Sequence, residues 1–254
     1  MVNLKEKAKN GQKIAGTMCR VFRNPTAMLL AKHAGLDFLM FDCEHGAYDI
    51  ETLHDMFVMG NAIGLPAFVR VPNLSKDYIS RYLDAGASGI MVPMIETAEQ
   101  AKTLVKYSKY TPVGDRGFVG CCAHTDYTPK AHSELMEEAN NRIMSIAQIE
   151  TKLAVENIEE IAAVPGIDML LIGPNDLSVS LGIPGDLMNP IELDAIRKVG
   201  EAAKKHGKFF CVHAGPALQK EFTDLMTVMM QLGDIEIITA GFKSVAEGCK
   251  KIFE

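Results

Sequence analysis

Short apolar runs alternate with longer amphipathic segments along almost the whole chain, and this alternation limits the possible folds more than any other feature. The apolar runs are rich in β-branched residues and are bounded by turn residues, which predicts β-strands. The eight predicted strands are Ile14–Cys19, Phe38–Asp42, Ala67–Arg70, Gly89–Val92, Ile143–Gln148, Met169–Ile172, Lys208–His213 and Ile235–Thr239. The segments between them have helical periodicity, and several end next to a glycine, which favours a helix C-cap. The predicted helices are Pro25–Ala34, Ile50–Asn61, Ser75–Asp84, Glu96–Ser108, Lys152–Ala163, Ile191–His206, Pro216–Gln231 and Phe242–Phe253.

Eight strand–helix units in 254 residues predict an α/β fold, the (β/α)8 TIM barrel, which typically needs about 250 residues. A doubly wound open sheet shows the same alternation but usually has fewer units, and no GxGxxG or GxxxxGK[ST] motif follows the first strand. No repeat or low-complexity linker divides the chain, so we expect one domain over residues 1–254. We expect a short amphipathic helix within Met1–Asn10, on the barrel floor. Thr111–Ala139 is the one long irregular segment, and a connection of that length is usually functional.

The charge pattern excludes several classes of partner. The chain carries 26 basic and 32 acidic residues, a net charge of −6, without a block of like charge. A surface for nucleic acid or an anionic membrane would need a basic patch. No apolar run is long enough to cross a bilayer, and the N-terminus lacks a signal-peptide apolar segment. Six cysteines without zinc-ligand spacing, including the adjacent Cys121 and Cys122, indicate reduced thiols in a cytoplasmic protein.

Unusual polar residues follow the carboxyl ends of the predicted strands, where barrel enzymes carry their active sites. The amino ends are flanked mainly by glycines and ordinary charges. The polar residues at the carboxyl ends are Asp42, Glu44 and His45 after strand two, Arg70 at strand three, Gln148 and Glu150 after strand five, Asn175 and Asp176 after strand six, and His213 at strand seven. This one-sided distribution indicates an enzyme.

Glu150 and Asp176 follow consecutive strands, which would bring their carboxylates within reach of one ion. In a strand, alternate residues share a face, so Gln148 and Glu150 would both point into the barrel mouth. Each acid taken alone could equally be a first-turn acid of the next helix. Together they favour a metal site, and two carboxylates without clustered Cys or His ligands suit Mg²⁺ or Mn²⁺, with Co²⁺ or Zn²⁺ as alternatives.

Three further residues could serve chemistry beside such an ion. Arg70 could bind a substrate carboxylate with both arms of its guanidinium, although an arginine paired with a helix would have the same sequence pattern. His45 is the natural proton carrier near neutral pH. His124, in the long irregular segment, is a weaker candidate for a substrate contact, and His213 could merely line the wall. No lysine ends a strand at the carboxyl face, which argues against a Schiff-base mechanism.

Several short segments occur here in the order and spacing of one known family. They are Asp42–Gly46, Val69–Pro72, Gly89–Met94, Gly114–Gly117, Gln148–Thr151 and Gly173–Ser178. With them, the sequence resembles the HpcH/HpaI aldolases, which are metal-dependent (class II) pyruvate aldolases of the phosphoenolpyruvate/pyruvate superfamily. The resemblance extends over nearly the whole chain, and the combination of segments is specific where each one alone is weak.

The resemblance implies a role for each matching residue. Glu150 and Asp176 would bind the metal, which pyruvate would chelate through its keto and carboxylate oxygens. Arg70, Gln148 and the backbone amides near Asn175 and Asp176 would hold the pyruvate oxygens. His45 would be the acid/base, oriented by Asp84 of the same or a neighbouring subunit. Asp42 and Arg116 would support the site or the acceptor aldehyde. The family also implies a homohexamer built from dimers, with the final helix swapped between subunits.

Two regions depart from the family pattern. After Arg116-Gly117, relatives often carry Arg/Ala-rich sequence, whereas this chain has Phe118–His124. The end of the eighth predicted strand, near Thr239, lacks an Asp that many relatives place there. Because both regions would border the acceptor pocket, the departures leave the aldehyde unassigned.

These features together predict a metal-dependent aldolase that reversibly cleaves a 4-hydroxy-2-oxo acid to pyruvate and an aldehyde through a metal-stabilised enolate. The substrate would be an aromatic-degradation diacid or a deoxy sugar acid. A CoA-ester lyase of the citrate-lyase type is the first alternative, although no basic patch for a CoA phosphate tail is evident. A phosphate-binding isomerase using Gly215 and Gly241 is the second, and a non-enzymatic binding protein is the third.

Overall fold

The computed structural model describes residues 2–253, and its central element is a closed barrel of parallel strands in the order β1 to β8. The strands are β1 (Ile14–Cys19), β2 (Phe38–Asp42), β3 (Ala67–Arg70), β4 (Gly89–Val92), β5 (Met144–Ile149), β6 (Met169–Ile172), β7 (Phe209–His213) and β8 (Val228–Gly233). Helices alternate with the strands, which confirms the (β/α)8 prediction. In the described part of the chain, no helix is both long and apolar enough to cross a membrane.

Twelve α-helices surround or close the barrel within the described residues. They are α1 (Leu4–Lys9), α2 (Thr26–His33), α3 (Ile50–Ile63), α4 (Lys76–Asp84), α5 (Ala98–Ser108), α6 (His132–Arg142), α7 (Lys152–Glu156), α8 (Ile158–Ala162), α9 (Pro174–Ser180), α10 (Pro190–Lys205), α11 (Pro216–Lys220) and α12 (Asp234–Phe253). Local sequence sets several helix ends. Thr97 and Gln100 form a capping box at the start of α5, and left-handed Gly64 ends α3.

Two hydrophobic layers result from the alternating faces of the strands. The inner layer fills the barrel and is rich in methionine and phenylalanine, with Met40, Phe68, Met91 and Met144 among its members. The outer layer packs the other strand faces against the helices. Met144 and Ile146 belong to the inner layer, so Gln148, which shares their face, points into the barrel mouth as strand periodicity predicts.

Helix α1 closes the amino end of the barrel, as the sequence predicts. Leu4 and Ala8 pack into the inner layer. Lys5 bonds to Asp168, just before β6, and Lys7 bonds to Asp37, just before β2. We call this end of the barrel the floor and the carboxyl end the mouth.

The eighth strand is not where the sequence predicts it. Residues 235–239 lie inside α12, and β8 is Val228–Gly233, within the segment 216–231 predicted as helix. The run Ile235-Glu236-Ile237-Ile238-Thr239 has strand-like composition, but Val228 and Met230 pair with β1 and fill the inner layer. Strand β8 is therefore followed directly by Asp234. An Asp does stand at the end of the eighth strand, so the expectation that this chain lacks it was wrong.

The long segment between β4 and β5 is more regular than predicted. Residues 132–142 form α6, and a 3₁₀ turn covers Ala123–Thr125. The irregular part of this segment begins where α5 ends, at the floor end of the barrel, and leads into α6. Gly241 likewise lies within α12, which removes one of the two turns on which the isomerase interpretation relied.

Candidate active site

A cavity of about 370 Å³ opens at the mouth of the barrel. Six residues predicted for the site line it: Asp42, His45, Arg70, Gln148, Asn175 and Asp176. They come from the ends of β2, β3 and β5 and from the start of α9. The cavity thus brings together most of the residues selected from the sequence.

Glu150 lies directly behind Gln148 and Gly173 and is only 2% exposed. Its Oε1 accepts a hydrogen bond of 2.9 Å from the backbone N–H of Met94, and its Oε2 accepts one from the side-chain amide of Gln148. Burial raises the pKa of the Glu150 carboxyl to about 7, and the nearby Asp176 and Glu44 add to this rise against the two hydrogen bonds. A carboxylate buried beside two other acids is poised to bind a cation.

Two backbone features hold Glu150 in this position. Met94 adopts a left-handed conformation with φ of 54°, which is costly for a residue with a side chain, and its N–H bonds to Glu150. Gly173 leaves the space that the carboxylate occupies, because a Cβ at this position would clash with Glu150 Oε2 and lie 2.8 Å from Gln148 Nε2. The sequence Gly173-Pro174 thus creates room for Glu150.

The Glu150–Asp176 region fits a hard divalent cation by its donor chemistry. It offers two carboxylates and the Oε1 atom of Gln148, which is buried without a hydrogen-bond partner among the described residues. A buried acceptor without a protein partner is available to a bound ion or water. Oxygen donors of this kind suit Mg²⁺ or Mn²⁺.

Arg70 is held by the acids of the β2 end rather than left free. Its Nε and Nη2 donate to the two oxygens of Asp42 at 2.9 and 2.6 Å, and its Nη1 lies 3.0 Å from Glu44 Oε2. Burial alone would raise the pKa of the Asp42 carboxyl, but the Arg70 bonds and charge outweigh it and hold the pKa below its usual value. Asp42 and Arg70 are register partners on β2 and β3, so the sheet itself creates this pair.

The two histidines of the mouth differ in their surroundings. The His45 side chain is 61% exposed, and its Nε2 lies 3.8 Å from Glu44 Oε2. His213 is half-buried, and its Nε2 lies 3.0 Å from the backbone oxygen of Leu232. Burial lowers the pKa of His213, and the charges of Arg70 and Arg20 contribute to this shift. His45 is therefore the more accessible proton carrier.

Three residues selected from the sequence lie elsewhere, in a cluster near the floor ends of α4 and α6. Arg116 donates to Asp84 at 2.6 Å, and His124 is buried between Tyr110 and Cys122. None of the three lines the mouth cavity, and His45 has no bond to Asp84 within the described chain. A role for Asp84, Arg116 or His124 at the mouth would therefore need a neighbouring subunit.

This second cluster also contains a group of potential metal ligands. Among the described residues, the ligand atoms of Asp84, Cys122 and His124 lie within 4.8 Å of one another. However, Asp84 is already paired with Arg116, and both ring nitrogens of His124 have partners. Burial and the charges of Arg116 and Arg142 lower the pKa of His124 to about 3. The positive surroundings make this cluster a poorer cation site than the mouth.

Sequence reasoning missed two residues that shape the mouth. Arg20 follows β1 and lines the cavity together with Glu236 of α12. Its position directly after the first strand was the available signal. Asp234, fully buried, accepts backbone hydrogen bonds from residues 20–22, and the misplaced eighth strand concealed it.

Comparisons with known proteins agree with this architecture. The family model described as HpcH/HpaI aldolase/citrate lyase matches residues 21–236. A 4-hydroxy-2-oxovalerate aldolase from Rhodococcus jostii is 38% identical over 68% of this chain and 68% of its own. An HpcH/HpaI aldolase structure from Desulfitobacterium hafniense has a TM-score of 0.92 at 33% identity, covering 100% of this chain and 98% of that one. A structure of the citrate synthase SbnG has a TM-score of 0.88 at 30% identity, with both chains fully covered.

Proposed function

Because the chain belongs to the HpcH/HpaI aldolase/citrate lyase family, and is therefore a carbon–carbon lyase, we propose that it is a class II pyruvate aldolase. It would reversibly cleave a 4-hydroxy-2-oxo acid to pyruvate and an aldehyde. The observation that carries this proposal is the buried Glu150, which lies beside the unpartnered Oε1 of Gln148 and close to Asp176 at the mouth.

We assign Glu150 and Asp176 as the residues that hold a divalent cation, with Mg²⁺ or Mn²⁺ preferred over Co²⁺ or Zn²⁺. When bound, such a cation supplies positive charge to stabilise the enolate oxygen that forms as the carbon–carbon bond breaks. Gln148 would orient a 2-oxo acid through the amide that lines the cavity. The backbone of Asn175 and Asp176 would contribute further donors.

Arg70 would bind the same substrate through its positively charged guanidinium. Asp42 binds two nitrogens of the guanidinium. The third, Nη1, faces Glu44 and is therefore the nitrogen that could bind a substrate oxygen instead. Glu44 is the weaker holder, since burial raises the pKa of its carboxyl. A substrate oxygen could take the place of Glu44 while Asp42 keeps the guanidinium in position.

His45 would act as the base that takes the proton from the 4-hydroxyl, and as the acid in the reverse direction. Its exposure at the mouth gives it access to that proton. Asp84 would orient His45 if a neighbouring subunit presents its Asp84–Arg116 pair to the mouth. His124 would then lie behind that pair, where it touches Tyr110 and Cys122.

The final helix supports a homo-oligomer. Apolar residues of α12 stand open to solvent in the single chain: Phe242 is 71% exposed, Ile252 80% and Phe253 89%. An exposed apolar surface of this kind usually marks an interface. We propose a homohexamer, a trimer of dimers, in which α12 packs on a neighbouring subunit. The cytoplasmic location stays a prediction.

Metal removal tests the proposed reaction. Pyruvate release from a 4-hydroxy-2-oxo acid should disappear in EDTA-treated, desalted enzyme and return when Mg²⁺ or Mn²⁺ is added back. His45→Ala should bind Mn²⁺ as the wild type does but lose about 10²–10⁴-fold in kcat, which separates proton transfer from metal binding. Full cleavage activity in the metal-free enzyme would sink the proposal.

A CoA-ester lyase is the second candidate, favoured by the citrate lyase part of the family description and by the fold shared with SbnG. It predicts turnover that depends on a CoA thioester. Cleavage of a free 4-hydroxy-2-oxo acid, together with inertness toward citryl-CoA and malyl-CoA, would decide against it.

A further inference from the structure

Arg20 stands at the mouth because the fold holds its backbone. Asp234, at the start of α12, is fully buried. Its carboxylate accepts the backbone N–H groups of Arg20 at 2.9 Å, Val21 at 2.7 Å and Phe22 at 2.8 Å. These bonds tie the end of β1 to the end of β8. The position of Arg20 is thus set independently of what its side chain binds.

The guanidinium of Arg20 is much less engaged than that of Arg70. Its one ion pair within the described chain joins Nη2 to Glu236 Oε1 at 3.3 Å, and its Nε has no hydrogen-bond partner there. The two side chains are 34% and 49% exposed, and ion pairs that are this exposed to solvent contribute little to stability. Glu236 is therefore a weak partner that another anion can replace.

Gly233 leaves the space in which the Arg20–Glu236 pair lies. A Cβ at Gly233 would lie 2.7 Å from Glu236 Oε2 and 3.3 Å from Arg20 Nη2. Both charged groups thus pack against a backbone without a side chain. Met18, Leu187 and Leu232 line the same cavity, so the polar groups of Arg20 and Glu236 are set among apolar walls.

Arg20 also lies across the mouth from the proposed pyruvate site. In a closed barrel of eight strands in sequential order, β1 stands opposite β5, and Gln148 lies on β5. Arg20 and Gln148 line one continuous cavity. A substrate held at its 2-oxo acid end by the β5 and β6 side would extend its other end toward Arg20.

We propose that Arg20 binds a carboxylate at the far end of the aldehyde half, so that the enzyme selects 4-hydroxy-2-oxo diacids over uncharged analogues. This specificity role rests on the proposed aldolase function. Glu236 holds Arg20 in the free enzyme and gives way to the substrate carboxylate. Because the two carboxylates compete for one guanidinium, Glu236 weakens the binding that Arg20 provides.

The test is aldol addition of pyruvate to two aldehydes that differ at their far end, succinic semialdehyde and butanal, with Mg²⁺-loaded enzyme. Wild type should prefer succinic semialdehyde in kcat/KM. Arg20→Met should reduce this preference about 10- to 100-fold, mainly through KM, because a charge-assisted hydrogen bond is lost. Arg20→Lys should retain part of the preference. Glu236→Gln should increase it, since the competing carboxylate is gone.

Exchange of the pyruvate methyl protons in D₂O is the control, because it needs no aldehyde. All three variants should exchange at the wild-type rate, which shows an intact fold and pyruvate site. An unchanged aldehyde preference in Arg20→Met with normal exchange overturns the assignment. A preference lowered by Glu236→Gln also overturns it and indicates that the Arg20–Glu236 pair binds hydroxyl groups instead. Absence of exchange in the wild type would refute the aldolase function itself.

Discussion

At the floor of the barrel, the carboxylate of Asp168 pairs with two buried lysines, with Lys5 at 2.8 Å and with Lys109 at 2.9 Å. At the mouth, Glu150 is buried more deeply than Asp168. It accepts two hydrogen bonds but forms no ion pair within the described residues, while Asp176 and Glu44 act on it as like charges. The floor therefore compensates its buried charges with its own residues. The mouth leaves its most buried carboxyl without an ion pair and therefore available to a cation.

The buried lysines of the floor also clarify the choice of chemistry. Burial lowers the pKa of Lys5 to about 7, and the adjacent charge of Lys109 adds to this shift against the attraction of Asp168. A lysine with such a pKa could form a Schiff base, but Lys5 lies on α1, at the end of the barrel opposite the mouth cavity. The floor lysines thus pair with Asp168 at the end of the barrel opposite the mouth, and among the described residues no lysine lines the mouth cavity.

Removing the charge of Glu150 should produce the largest functional effect. Glu150→Gln should lower kcat/KM for cleavage by about 10²–10³-fold or more, because charge stabilisation at the reacting oxygen would be lost. Its stability toward urea should not fall, since the substitution removes a buried carboxyl that forms no ion pair within the described residues. Glu156→Gln, an exposed substitution on α7, is the matched control and should keep full activity. A Glu150→Gln enzyme with near wild-type turnover would contradict the assignment.

Removing the charge of Asp168 at the floor should lower the stability of the protein rather than its activity. Asp168→Asn should reduce the free energy of unfolding by about 3–5 kcal/mol, because it leaves two buried ammonium groups without their counter-charge. Activity of the folded fraction should be unchanged. Lys7→Ala, which removes the more exposed Lys7–Asp37 pair, is the control and should cost less than about 1 kcal/mol. Equal urea midpoints for Asp168→Asn and wild type would refute the proposed role of Asp168.

Glu192, near the start of α10, gives a smaller, pH-dependent effect. It is fully buried, neither carboxyl oxygen has a partner among the described residues, and burial raises its pKa from 4.5 to about 7. The folded state therefore keeps the proton that the unfolded state releases, so this group's contribution to stability is lost as pH rises from about 4.5 through 7. Glu192→Gln should match wild type near pH 4.5 and be more stable by about 1–3 kcal/mol at pH 8. Urea unfolding at both pH values measures this, and a parallel pH dependence of the two proteins would disprove it.

Hydrophobic periodicity predicted most of the barrel because seven of the eight strands coincide with short apolar runs, which are typical of buried parallel strands. Five of these strands, such as Phe38–Asp42 and Ala67–Arg70, have the bounds that the structure shows, and the strands β5 and β7 begin one residue later than predicted. The eighth failed because Ile235–Thr239 is β-branched yet helical, while methionine-rich Val228–Gly233 forms the strand. Pairing with β1 decides between them, and local sequence does not contain that information.

Strand parity likewise predicted which side chains meet at the mouth, including Arg70 and Gln148. It did not predict that Arg70 would be bound by Asp42, because that pair depends on the register between β2 and β3. Nor did it separate Asp84, Arg116 and His124 from the mouth. The spacing of these residues along the sequence is the same whether they reach the site within one chain or from a neighbouring subunit. Only the packing of α4 and of the long segment before α6 distinguishes these two arrangements.

The central claim is that the carboxylates of the mouth hold a divalent cation that makes pyruvate enolisable. The most direct measurement follows deuterium incorporation into the pyruvate methyl group in D₂O by NMR, with metal-free and Mg²⁺-loaded enzyme. We predict exchange only in the Mg²⁺-loaded wild type, with none in the metal-free enzyme or in Glu150→Gln. Exchange at the same rate without metal would contradict the claim.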